Sequence, residues 1–139
     1  MTSPRCLVLF NYDWDELGFS RWATDFPTDS AGFDLFSFPS NAHLVNFNLQ
    51  RFVDRLAAKA ARAGWQAVTS NHEQFGALAA ALLAERMGWP GTPVSAVLAC
   101  QHKLYARQVL ETVAPEANTP FALLPSHYGE PVPHDLTYP

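Results

Sequence analysis

The residues best placed for chemistry sit in two short stretches, Val68 to Phe75 (VTSNHEQF) and Asn11-Tyr12-Asp13. In the first, an apolar run stops at a serine and a periodic helical pattern begins. Ser70 followed by Glu73 matches a capping box: the hydroxyl accepts a free backbone N–H, and the carboxylate reaches back to the cap residue's own N–H. A strand that turns into a capped helix leaves polar side chains and bare N–H groups at the carboxyl end of a sheet, where open α/β folds bind ligands. Position alone makes Asn71, His72 and Glu73 small-ligand candidates. A purely capping role explains Ser70 and Glu73 equally well, and the two roles are compatible.

Asp13, Asp15 and Glu16 form an acidic cluster after the first apolar run. Such a cluster suits Mg2+ or, more ordinarily, a solvated loop. Several chemistries lack their signature. There is no Gly-x-Gly-x-x-Gly after the first strand and no Walker A sequence, which disfavours nicotinamide and P-loop nucleotide sites. There is no Gly-x-Ser-x-Gly elbow for a hydrolase nucleophile. His43, His72, His102, His127 and His134 show no metal-ligand spacing, and the two cysteines are far apart, so no metal site is expected. Ser70 stands where a receiver domain carries its phospho-acceptor aspartate.

The elements that position these residues read as follows. Arg5 to Tyr12 is a nearly continuous apolar run, which suits a parallel strand buried on both faces. Trp14, Leu17, Phe19 and Trp22 fit a short irregular helix, and Phe33 to Phe38 reads as a second strand ended by Pro39. Asn46 or Asn48 caps a helix with Leu49, Phe52, Val53, Leu56, Ala60 and Ala63 on one face, stopped by Gly64. Its other face carries Arg51, Arg55, Lys59 and Arg62, an anion-binding stripe or, preferably, a solvated helix face. Trp65 to Thr69 is the third strand, and a helix from Asn71 to Met87 stops at Gly88. Right-handed crossovers set all three strand ends on one rim, and the order expected puts the first strand between the second and third. The fold class is α/β, a small doubly wound and mainly parallel sheet followed by short helices at Val94 to Gln101 and Lys103 to Val113. A brief strand is expected over Phe121 to Leu124.

The bulk properties set the frame. The chain has 139 residues, 48% hydrophobic and 16% charged, which describes one globular domain's worth of core. A net charge of −4 offers no basic field for nucleic acid. Cys6 and Cys100 fit small buried thiols in a reduced, cytoplasmic protein. The start of the chain lacks a signal-peptide pattern, and the longest apolar stretch, Phe75 to Ala84, falls short of the roughly 20 residues a membrane span needs.

From Ala67 to Phe121 the sequence resembles the N-terminal part of ATP-grasp enzymes. In that family a small α/β domain ends in a helix and a Gly-x-x-Gly turn, followed by a Lys-x-x-x-Arg-x-x-Leu helix and a Pro-bearing strand entry. Gly88-Trp89-Pro90-Gly91 resembles the turn, Lys103, Arg107 and Leu110 the helix, and Thr119-Pro120-Phe121 the strand entry. Asp135 to Pro139 looks like the lead-in to the family's ATP-contacting strand. The departure is His102, where many relatives carry aspartate.

The resemblance implies a pre-ATP-grasp domain over residues 1–92 and an incomplete ATP-grasp domain over 93–139. The parent would be an ATP-dependent carboxylate–amine ligase working through an acyl-phosphate, with ATP and Mg2+ as cofactors of the complete enzyme and none held tightly by this part. Lys103 would approach the ATP phosphates, and Arg107 would pair with Glu111 on its own helix. Asn11, Tyr12, Asp13, Ser70, Asn71, His72 and Glu73 would face the substrate. No catalytic residue is assigned. The expected partners are the rest of the ligase and a small-molecule substrate, with no nucleic acid and no membrane. The apolar residues Val94, Val97, Leu98 and Leu104 require cover, either by docking back or by self-association. One rival is a stand-alone α/β ligand-binding or protein-interaction module. Another is a small phosphoryl-transfer or hydrolytic enzyme using Asp13, Asp15 and His72.

Overall fold

The computed structural model describes residues 4–123, 127, 129 and 130. The chain divides into two compact units, Met1–Val97 and Leu98–Pro139. The first is an α/β unit on a three-stranded parallel sheet: β1 (Arg5–Leu9), β2 (Thr28–Ala31) and β3 (Trp65–Ser70), in the order β2-β1-β3. The first strand is therefore central, the order expected from the sequence. Leu7, Val8, Leu9 and Phe10 are fully buried, which is why the run is apolar without alternation. Leu9 lies opposite both Ala31 and Ser70, so the carboxyl ends of all three strands form one rim.

Three helices belong wholly to this unit: α1 (Asp13–Ser20), α2 (Leu49–Ala63) and α3 (Phe75–Met87). The apolar face of α2 buries Phe52, Val53, Leu56 and Ala60. Phe52, Val53 and Leu56 join Leu7, Leu9, Phe10, Ala79 and Leu83 in one cluster. Each large side chain buried there is worth about 1.5–3 kcal/mol over an exposed one. Of the two asparagines that could cap α2, Asn48 does so: its Oδ1 accepts from the Arg51 N–H at 2.8 Å. Gly64 ends the helix in the left-handed region at φ 72°, which a Cβ would oppose. Asn48→Ala should lower the unfolding free energy by about 1 kcal/mol. Urea denaturation checks this, with Asn46→Ala as the control expected to lose less.

The second strand is not where the apolar pattern placed it. Phe33 to Phe38 is irregular, and β2 is the polar Thr28–Ala31 segment. As an edge strand it needs only backbone pairing with β1, and its side chains do other work. Asp29 Oδ2 accepts from Trp65 Nε1 at 2.6 Å and pairs with Arg5 Nε at 3.1 Å, so one carboxylate ties all three strands together. The apolar residues after it pack sideways instead: Leu35 is buried, and Phe33 meets Phe10 edge-on at 5.5 Å.

A second correction concerns the helix after β3. It starts at Phe75, not Asn71, after a turn in which the Ser70 hydroxyl donates to the Leu9 carbonyl at 2.8 Å. Ser70 is not the cap residue of α3, which is Gln74; the Ser70 hydroxyl accepts from the His72 N–H. Cys100 is exposed, not buried, and Cys6 is half-buried with its thiol pKa pushed up by burial.

Helix α4 (Val94–Gln101) crosses from the first unit into the second, where α5 (Lys103–Val113) and a 3-10 turn at Pro115–Ala117 follow. Asn118 organises the second unit. Its Nδ2 donates to Arg107 O at 3.0 Å and to Glu111 Oε2 at 2.7 Å, and its Oδ1 accepts from Arg107 Nη1. Arg107 and Glu111 are thus joined through Asn118, in place of the direct pair expected on the helix face. Residues 121–123 form no strand, and Leu124 and the segment Asp135 to Pro139 lie outside the described residues. Among the described residues no helix is long and apolar enough to cross a membrane.

Candidate functional site

At the end of β1 the chain turns through Phe10, a non-glycine residue in the left-handed region at φ 56°. The turn delivers Asn11 and Tyr12 to the rim. Asn11 Nδ2 donates to Ser30 Oγ at 2.9 Å, while its Oδ1 is buried without a partner. Tyr12 is 8% exposed and its hydroxyl is likewise buried without a partner. A buried polar atom left unpaired costs about 1–3 kcal/mol, so two of them on adjacent residues call for an explanation. Burial, then the nearby carboxylates of Asp34, Asp15 and Glu73, hold the Tyr12 phenol above its ordinary pKa, so it stays neutral and able to donate.

The ring of Tyr12 is held between two others. Trp14 lies at 4.8 Å and Phe36 at 5.2 Å between centroids, each inclined by about 30°. Both covering rings are 68% exposed, so the phenol is closed off by side chains that solvent reaches from above. Phe36 also meets the His72 ring at 5.7 Å. Phe36 is set by an Asp34 turn, in which Oδ1 accepts from the N–H groups of Phe36 and Ser37. These bonds, with the Ser37 side chain foremost, lower the Asp34 pKa.

The loops after β1 and β3 are joined across the rim. Asp15 Oδ2 accepts from the Tyr12 N–H at 3.1 Å, and Asp15 Oδ1 accepts from Asn71 Nδ2 at 2.8 Å. His72 is buried, and its Nδ1 accepts from the Gly76 N–H at 3.3 Å. With Nδ1 accepting, the neutral ring carries its proton on Nε2. The fold therefore gathers Asn11, Tyr12, Ser70, Asn71 and His72 at one rim. Asp13 and Glu73 are exposed, Asp13 at the first residue of α1 and Glu73 in the turn before α3.

Asp15, Trp14, Phe36 and Asp34 complete the rim; of these only Asp15 stood out in the sequence, as part of the acidic cluster and of the rival phosphoryl-transfer or hydrolytic reading, not as a link to Asn71. Asp15 had a usable signal, since a carboxylate three residues after a strand end suits the first turn of a helix. Phe36 had none, because its segment resembled a strand. Lys103 belongs to the second unit. It is exposed and is the first residue of α5, whose cap is His102: its Nδ1 accepts from the Tyr105 N–H at 3.2 Å. Among the described residues, no three His, Cys, Asp or Glu side chains stand together in a way that could hold a metal ion. Comparison with protein-family models, with curated proteins and with solved structures finds no match.

Proposed function

We propose that the rim is the substrate-facing wall of a pre-ATP-grasp domain, the doubly wound N-terminal domain of an ATP-dependent carboxylate–amine ligase that works through an acyl-phosphate. The observation that carries the binding role is the pair of buried, unpartnered atoms, Tyr12 OH and Asn11 Oδ1, on a loop tied to the end of β3 through Asp15 and Asn71. A small molecule that displaced the covering rings would offer these atoms partners. The ligase reading rests on the resemblance. It is supported by the turn at Gly88 to Gly91, which follows α3 directly, and by the start of α5 at Lys103.

The residues present fit ATP at one point only. An exposed lysine at a helix start suits a phosphate oxygen, which would also offset the unfavourable placing of a cation there. The described residues supply no metal-binding cluster, so Mg2+ would depend on other parts of the ligase. The role of this chain's own residues is to bind and orient the substrate and to shield it from water.

NMR titration with small amines and carboxylates tests the binding role. Binding should move the amides of Asn11, Tyr12, Asn71 and His72 and should weaken about tenfold in Tyr12→Phe. If the hydroxyl holds no ligand, Tyr12→Phe would only stabilise the fold, by about 1 kcal/mol through loss of an unpaired group. The chain incubated with ATP, Mg2+ and the same compounds should release no phosphate, since the described residues supply no metal-binding cluster; turnover would overturn a role confined to substrate binding. A stand-alone interaction module is the second reading. It is favoured by the exposed rings of Trp14, Trp22, Phe26, Phe36 and Phe38, which are 62–83% accessible. Capture of a protein partner with no response to small molecules would select it.

A further inference from the structure

The largest cavity among those described is not at the rim. It is a groove of about 750 Å³ between the segment after β2, the 3-10 turn at Ser40–Asn46 and the start of α2. Its volume falls in the range of small-molecule sites, roughly 300–1,000 Å³. One wall is aromatic. Phe47 meets Phe33 at 5.5 Å and Phe52 at 5.2 Å, and Phe33 meets His43 at 5.5 Å. The lining also carries Arg51 and Arg55, four residues apart and therefore on the same side of α2.

The charges there are unbalanced. Among the described residues neither arginine is in an ion pair. The acid in the lining, Asp54, is engaged by Arg86 at 2.6 Å and by Gln50 at 3.1 Å. The first turn of α2 contains no acidic residue, so Arg51 adds a cation to the positive end of the helix. An oxyanion in the groove would answer both arginines in the planar, two-pronged geometry that guanidinium favours. The rings of Phe33 and Phe47 would cover a flat apolar body beside it.

We propose that this groove binds a small aromatic oxyanion, a carboxylate or phosphate monoester on a planar ring, with Arg51 and Arg55 holding the charge. The solvated-face reading of the basic stripe then applies to Lys59 and Arg62, which do not line the groove. None of the lining residues belongs to the rim around Tyr12 and His72, so the two sites stand or fall separately.

The test is an NMR titration of the whole chain with phenyl phosphate, benzoate and inorganic phosphate at fixed ionic strength. Phenyl phosphate and benzoate should saturate, shifting amides of residues 43–55, and inorganic phosphate should bind at least tenfold more weakly. Preference for phenyl phosphate over benzoate would assign the phosphate ester as the ligand class; the reverse would assign the carboxylate. Arg51→Gln with Arg55→Gln should weaken the preferred probe at least tenfold. Both side chains are exposed, so an unchanged unfolding midpoint is expected for that variant and separates lost binding from lost fold. Phe47→Leu, which keeps an apolar side chain but removes the ring, supplies a second variant and should weaken the aromatic probes toward the affinity of inorganic phosphate. Equal affinity for inorganic phosphate and the aromatic probes, no saturating shift, or binding unchanged in the double arginine variant would overturn the proposal.

Discussion

Phe10→Ala should lower the unfolding free energy by about 3–5 kcal/mol, the largest loss expected from any single truncation in the sheet unit. The ring is fully buried and is the hub of the aromatic cluster. Phe52 and Phe75 lie at 5.3 Å, Phe33 at 5.5 Å and Phe47 at 6.1 Å. Removing it leaves four rings facing a void, each losing contacts beyond its area burial. The backbone adds a second, opposite term. At φ 56° any residue with a Cβ is strained by about 1–2 kcal/mol, and alanine keeps that strain. Phe10→Gly should therefore lose no more than Phe10→Ala, despite removing one carbon more. Chemical denaturation of both variants checks the pair. A glycine variant clearly weaker than the alanine one would show that the ring, not the turn, dictates the backbone there.

Gly76→Ala should cost about 1–3 kcal/mol, although alanine is the better helix former by about 1 kcal/mol. Gly76 is buried in the first turn of α3, directly under the end of β3. An added Cβ would overlap Ser70 Oγ and come within 2.9 Å of His72 Cβ and 3.0 Å of Ser70 Cβ. Neither neighbour yields freely. The Ser70 hydroxyl is fixed by the Leu9 carbonyl, and His72 is fixed by the Gly76 N–H itself. Overlap therefore outweighs propensity. Ser70→Ala in the same chain should recover part of the loss, since it removes the worst contact and leaves the Cβ. A thermal scan of the single and double variants measures both. The single variant should also shift the His72 ring resonances, because the bond that orients that ring is displaced.

The elements legible in the sequence are those whose signals are local. Helix α2 announces itself through Asn48, Gly64 and its apolar face, all within one stretch of chain. Helices α4 and α5 begin and end as their periodicity indicates. Strand β1 is visible because burial on both faces leaves no polar position. Strand β2 is invisible for the converse reason. Its residues Thr-Asp-Ser-Ala carry no large apolar side chain and are held by backbone pairing and polar side-chain bonds, while Phe33 and Leu35, which follow, serve the apolar cluster. The start of α3 is not visible locally, because Ser70 donates across the chain to Leu9 and accepts from the His72 N–H in a turn that precedes the helix. The rim was half legible. Asn11, Tyr12, Asn71 and His72 follow from strand ends, but the Asp15 bridge and the Phe36 cover depend on contacts between residues distant in the chain.

The central place of β1 also sets an order of events in time. Its partner β3 lies far along the chain, with Leu9 facing Ser70. As the polypeptide is synthesised, the apolar run from Leu7 to Phe10 emerges early and stays wet until Trp65–Ser70 has followed. In that interval β2 can cover one edge and α2 can coil on its own, but loop closure across the whole intervening segment must come before the sheet gains stability. A strand that ends fully buried is thus an exposed hazard at birth, and a nascent chain paused between α2 and β3 is where a chaperone would have most to hold.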